Sequence, residues 1–223
     1  MRARSFIVLL AVCITACSGT FAGPQTPTPS KSSATQAVHV TPSNIRRVRA
    51  AFPPGYELAE IAHAPSPAGY WGLGRTWTAD PAPCSALANP VSGDEPPQGL
   101  AGSGPGGIIY AVVAASTTPL VLDPAVVAAC PQWSMNAGRT TAAVELTAAP
   151  QVDAAATVGM AAATRTVVEG GTETASQIQT VSAYLDDYLA FVVVVTDPGS
   201  PQAQLPPELA ATLLVRAVAE LRR

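Results

Sequence analysis

An α+β fold with a mainly antiparallel sheet is predicted by three observations. Segments between Arg139 and Val195 carry the period-two alternation of strands, tight-turn residues separate them, and the chain ends in an apolar stripe at four-residue spacing. Ser43 can cap a first short helix whose apolar face is Ile45, Val48 and Phe52, ended by Pro53-Pro54-Gly55. Its other face carries Arg46, Arg47 and Arg49, a run read as a solvated face or as a contact to anionic headgroups. Tyr56 to Ala62 reads as a first strand, and the alternation of Trp71, Leu73, Arg75 and Trp77 predicts a second. Asp80-Pro81 has the form of an N-cap followed by Pro at the first helical position, and Asn89-Pro90 ends that helix after Cys84 and Leu87 have turned inward.

Val91 to Gly107 is rich in Gly and Pro and is expected to be a surface loop, either plain or a flap over a groove. Its Gly102-Ser103-Gly104-Pro105-Gly106-Gly107 run is no phosphate loop, because neither a Lys-Ser/Thr pair nor the strand-before, helix-after context is present. Ile108 to Ala114 follows as an apolar strand. Asp123-Pro124 then opens a short helix to Ala129, with Cys130 at its end and Pro131 forbidding continuation.

The second half predicts a meander. Arg139 to Thr147 alternates Ala142, Val144 and Leu146, and Val158 to Glu169 is the next strand. Gly170-Gly171 turns the chain, Thr174 to Tyr184 returns, and Asp186-Asp187 turns it again into Tyr188 to Val195. That last strand is the most apolar stretch after the leader, which puts it near the middle of the sheet. Pro207 opens the final helix, with Leu209, Leu213, Ala217 and Leu221 on one face.

The first residues read as an address. Arg2 and Arg4 precede the apolar run Phe6 to Ile14, which falls well short of the about 20 residues a membrane span needs, so residues 1–16 are expected to be a signal peptide. The following Ser18 to Pro42 stretch is rich in Ser, Thr, Pro and Gly and cannot pack a core, so residues 17–42 form a tether with a reach of about 25–30 Å. Residues 43–223 are left as one domain. Ile14-Thr15-Ala16-Cys17 resembles a bacterial lipobox, and by that resemblance Cys17 is the lipidated first residue of the mature chain. Two or three acyl chains on one residue hold a protein firmly to a membrane. The expected location is the outer face of the cell membrane, in the cell envelope.

Composition narrows the function classes. The 223 residues are 48% apolar and 12% charged, with 12 basic against 15 acidic side chains, as suits a folded domain with no basic face for nucleic acid. Beyond Cys13 in the leader and Cys17, only Cys84 and Cys130 remain. In an oxidising compartment they form one disulfide, and otherwise they are two buried thiols. Only two histidines occur, His39 in the tether and His63 at a strand end. With no Gly-x-Ser-x-Gly elbow and Lys31 as the only lysine, no nucleophile–base set is visible. Asp186 and Asp187 are turn formers before they are an acid/base pair. Neither cofactor nor metal is expected, and the protein is read as not an enzyme. One feature suits a binding surface: Tyr70, Trp71, Trp77 and Trp133 either line a groove or fill the core beside the disulfide.

The lipobox, the Ser/Thr/Pro stem, the Pro-x-x-Cys-x-x-Leu stretch at Pro81 to Leu87, and Trp133-Ser134-Met135-Asn136-Ala137-Gly138-Arg139-Thr140 resemble small secreted lipoproteins of mycobacteria. In particular they are similar to the extracellular sensor-domain family of the receptor Ser/Thr kinase PknH. That resemblance implies a curved antiparallel sheet with flanking helices around a cleft, held by disulfides, that takes an unidentified ligand. The pattern departs at Asn136, where the family has a disulfide Cys; the thiol here is six residues earlier at Cys130, so the bridge must run differently. Together these readings predict a membrane-anchored extracytoplasmic lipoprotein that binds a lipid or envelope-derived glycan, or else docks on another envelope protein.

Overall fold

The alternation of the second half becomes the larger part of one open antiparallel sheet. In the computed structural model, which describes residues 39–223 apart from His63 and Gln204, the strands are β1 (Glu57–Ile61), β2 (Thr78–Asp80), β3 (Gln98–Gly104), β4 (Gly107–Ala115), β5 (Gln132–Ala137), β6 (Thr140–Thr147), β7 (Ala156–Val167), β8 (Glu173–Leu185) and β9 (Tyr188–Thr196). Their order is β1-β3-β4-β9-β8-β7-β6-β5-β2. The apolar β9 lies between β4 and β8, inside the sheet as its composition required. Asp186, with φ +54°, turns β8 into β9. The leader, Cys17 and the tether lie outside the described residues, as does His63.

Period-two alternation splits the buried residues into two cores, one on each face of the sheet. On one face a ten-residue 3-10 helix, Pro42–Ala51, and α3 (Leu209–Leu221) cover an aliphatic core that includes Ile45, Val48, Leu100, Ile109, Val192, Leu213 and Leu221. On the other face, α1 (Ser85–Ala88), α2 (Pro124–Ala129), a short 3-10 turn at Pro67–Tyr70 and irregular chain cover an aromatic core with Tyr70, Trp71, Trp133 and Phe191. Cys84 and Cys130 bridge inside this second cover, with Cα atoms 5.6 Å apart and both residues fully buried. Asp123 caps α2, its Oδ1 accepting from the Ala125 N–H at 2.8 Å.

Several segments differ from the sequence expectation. Ser43 does not cap the first helix: that helix already includes Pro42, and Ser43 is an exposed residue within it. Trp71 to Trp77 is not a strand. Gly72 and Gly74 have φ of +77° and +74°, which breaks an extended backbone, so the alternation reflects an irregular segment with Trp71 and Leu73 packed inward. Pairing begins only at Thr78, against Asn136. Asp80 ends β2 and caps nothing; a 3-10 turn at Ala82–Cys84 leads into α1, and Cys84 and Leu87 are buried as expected.

The Gly-rich segment expected to be a loop or flap is largely a hairpin. Gly99, Gly102 and Gly104 lie in β3, where β3 pairs with both β1 and β4. A Cβ on Gly102 would come within 2.6 Å of the Phe52 ring and one on Gly104 within 2.5 Å of the Tyr56 ring. These glycines thus serve close packing under two aromatic rings, a role that composition cannot distinguish from loop flexibility. β5 is a further strand, with Trp133 and Met135 inward and Gln132, Ser134 and Asn136 outward.

Candidate functional site

The expected aromatic cluster divides when it is placed in the fold. Trp71 is 2% exposed and its indole N–H donates to Thr180 Oγ1 at 3.0 Å, pinning the start of the irregular segment to β8. Tyr70 stacks at tilted angles on Tyr110 and Phe191, with ring centroids 4.7 and 5.7 Å away. Its hydroxyl donates to the Ala64 carbonyl at 3.0 Å and accepts from the Ala64 N–H at 3.3 Å, closing the 64–70 loop on itself. Burial pushes the Tyr70 phenol up to about 12, against a smaller lowering by the Ala64 backbone, so the hydroxyl stays protonated and the closure is structural. Trp133 is also in the core, 5% exposed, with its indole nitrogen buried and unpartnered.

Whereas Trp133 borders only a smaller groove, Trp77 lies at the larger cleft. One part of the ring packs on the aromatic core, and the residue also lines a cavity of about 1080 Å³ beside the edge strand β2 and the β5–β6 turn. Three fixed elements hold its walls: the loop closed by Tyr70, the segment pinned by Trp71, and the β2–β5 pairing. Ser66, Arg75, Asn89 and Asn136 supply the polar lining. Ser66 is 3% exposed, and its Oγ has no hydrogen-bond partner among the described residues. Arg75 is exposed and forms no ion pair among the described residues. Asn136 accepts from the Gly138 N–H through Oδ1 at 3.2 Å, which sets the amide at the cleft rim.

This lining suits recognition of a polar ring that carries negative charge. An indole offers a flat apolar face, the amides and hydroxyl fix orientation, and a guanidinium matches the geometry of a carboxylate or phosphate. Ser66, Arg75, Asn89 and Asn136 were not singled out as binding residues from sequence. Arg75 was hidden by an alternation that read as a strand, and Asn136 stood out only as a missing Cys. Among the described residues, no group of His, Cys, Asp and Glu is arranged to hold a metal ion.

Two smaller grooves complete the surface. One of about 490 Å³ runs across the uncovered face of β5 to β8, along Gln132, Glu145 and Gln177, and one of about 240 Å³ lies between the first 3-10 helix and β1.

Residues 41–222 match the model of a domain of unknown function, DUF5642. The chain belongs to that family. Among solved structures, an uncharacterised protein from Mycobacterium smegmatis, the Rv0999 ortholog, has a similar fold, with a TM-score of 0.61 at 23% identity. The likeness covers 82% of this chain and 98% of the other. At that identity the DUF5642 chain and its neighbour share the fold alone. No curated protein matches the chain.

Proposed function

We propose that this protein is a lipoprotein, anchored through Cys17 on the outer face of the cell membrane, that binds an envelope-derived ligand in the Trp77 cleft without catalysis. The observation that carries the reading is the cleft itself, with a half-buried indole, a free guanidinium and a buried hydroxyl left unpartnered within one cavity. Such a lining favours a glycan or a polar headgroup over an acyl chain, which would need an enclosed apolar channel. The resemblance of the chain's motifs to PknH-type sensor domains agrees with this reading.

Native mass spectrometry of the protein purified from its own envelope tests the cleft. A bound mass of glycan or headgroup class is expected on the wild-type chain, with at least tenfold lower occupancy on Trp77→Ala, which also lowers the melting temperature because part of the ring packs on the core, and on Arg75→Ala, an exposed residue whose loss leaves the melting temperature unchanged. An unliganded mass that persists after addition of envelope extract would overturn the reading in favour of protein docking. Separately, Cys17→Ala is expected to move the protein from the membrane fraction into the medium, and retention would sink the anchor.

A further inference from the structure

The layer formed by the first 3-10 helix and α3 carries charge opposite to that of the whole chain. Six of the nine arginines between residues 39 and 223 lie on it: Arg46, Arg47 and Arg49 on the first helix, and Arg216, Arg222 and Arg223 on or just after α3. The chain as a whole is at −3. Both helices bury their apolar faces, so their cationic faces point outward. The acidic complement within the layer is small. Glu220 is buried beneath α3, where it holds Arg216 at 2.8 Å and Arg223 at 3.1 Å, and Glu208 stands at the helix start. Arg46 pairs with Glu60 at 3.3 Å and Arg222 is tied to the Asp153 and Ala154 carbonyls. Arg47 and Arg49 are exposed with no side-chain partner among the described residues. On α3, Val215 adds an apolar side chain, 45% exposed, next to Arg216.

The preceding chain joins the domain at this same layer. The Thr41 N–H donates to the Leu221 carbonyl at 2.8 Å, and Asn44 Nδ2 donates to the Arg223 carbonyl at 3.1 Å. The described chain therefore begins beside the cationic surface, and in sequence it is preceded by a segment that carries the apolar run Phe6 to Ile14 and Cys17. Whatever holds that segment to a membrane brings the arginines within a short tether's reach, where even weak attraction becomes effective.

We propose that the outer surface of this two-helix layer docks on a bilayer rich in anionic lipid headgroups. Arg47 and Arg49 meet the headgroup phosphates and Val215 enters the boundary region beside them. The contact needs no acyl chain of its own and goes beyond ligand binding, since it fixes how the domain stands on the membrane. α3 packs on β9 and β8, and β8 lies four strand spacings, roughly 19 Å, from β2 at the cleft; the cleft adjoins the core on the opposite face of the sheet, so the docked domain keeps it open.

Flotation of the full chain with vesicles of phosphatidylglycerol and phosphatidylcholine, against phosphatidylcholine alone, tests the surface. The leader is common to every sample, so the comparison lies between variants. Each arginine at an anionic surface contributes about fivefold in binding. Arg47→Glu/Arg49→Glu is expected to lower binding to the anionic vesicles at least tenfold with an unchanged melting temperature. Arg139→Glu/Arg165→Glu, which changes net charge equally away from both the layer and the cleft lining, is expected to stay within about twofold of the wild type. Equal losses in the two double variants would show a response to net charge only and overturn the proposal. Unchanged binding in Arg47→Glu/Arg49→Glu would overturn it too, as would a loss confined to co-purification of an envelope protein. Arg47→Ala/Arg49→Ala supplies the same reading should charge reversal disturb the helix.

Discussion

The two faces of the sheet are covered by different means. Two helices cover the aliphatic face, their apolar stripes fitting a surface of Leu, Ile and Val. Loops and single helical turns cover the aromatic face, and such pieces have little internal order with which to hold a core. Here that deficit is met by a disulfide, by large rings, and by polar anchors such as the Trp71–Thr180 hydrogen bond. The difference has a functional consequence. Packed helices leave only small grooves where they lie, whereas irregular chain fixed at a few points leaves more space between them, and the Trp77 cleft lies in that space.

Removing the bridge should break this contrast most strongly. Cys84→Ser/Cys130→Ser is expected to cost about 4 kcal/mol, the chain-entropy value for a loop closed across 46 residues. The loosening should show as faster hydrogen exchange around residues 64–90 and 120–131 while α3 keeps its protection; uniform acceleration would mean that the two covers are not independent. Next in size is Leu213→Ala on the helix-covered face, where a fully buried Leu becomes a cavity at about 3 kcal/mol. Its loss should appear in global denaturation without local opening on the aromatic face. The smallest effect sharpens the role of the polar anchors. Trp71→Phe keeps a ring in the core but leaves the Thr180 hydroxyl without its donor, for about 1–2 kcal/mol in urea denaturation.

Legibility from sequence follows the same division. The meander from β6 to β9, two of its three turns and α3 were readable, because each is specified by a local period or by turn residues that need no distant partner. The pairing of Cys84 with Cys130 was one of two outcomes the sequence left open, and the 5.6 Å Cα separation in the fold decided it. The region from 64 to 107 was misread for a common reason. Trp71 and Leu73 alternate like a strand, but positive φ at Gly72 and Gly74 leaves them irregular; Gly102 and Gly104 look like a loop, but the Phe52 and Tyr56 rings make them a strand. In both cases long-range packing decided the conformation. The cleft suffered most, since its polar residues come from four separate segments and only Trp77 had a signal of its own.

By itself the amino-acid sequence determined the fold class, the meander and the helices that cover one face, because periodicity acts over a few residues. It also supplied the thiols and the arginines, whose identities do not depend on context. Tertiary structure decided which aromatic rings became core and which one reached the surface, which glycines joined the sheet, and where Ser66, Arg75, Asn89 and Asn136 meet. It also set six scattered arginines on one layer beside the start of the domain. Those outcomes depend on contacts between residues far apart in the chain, and packing free energy across such contacts outweighs the local preferences that a sequence displays.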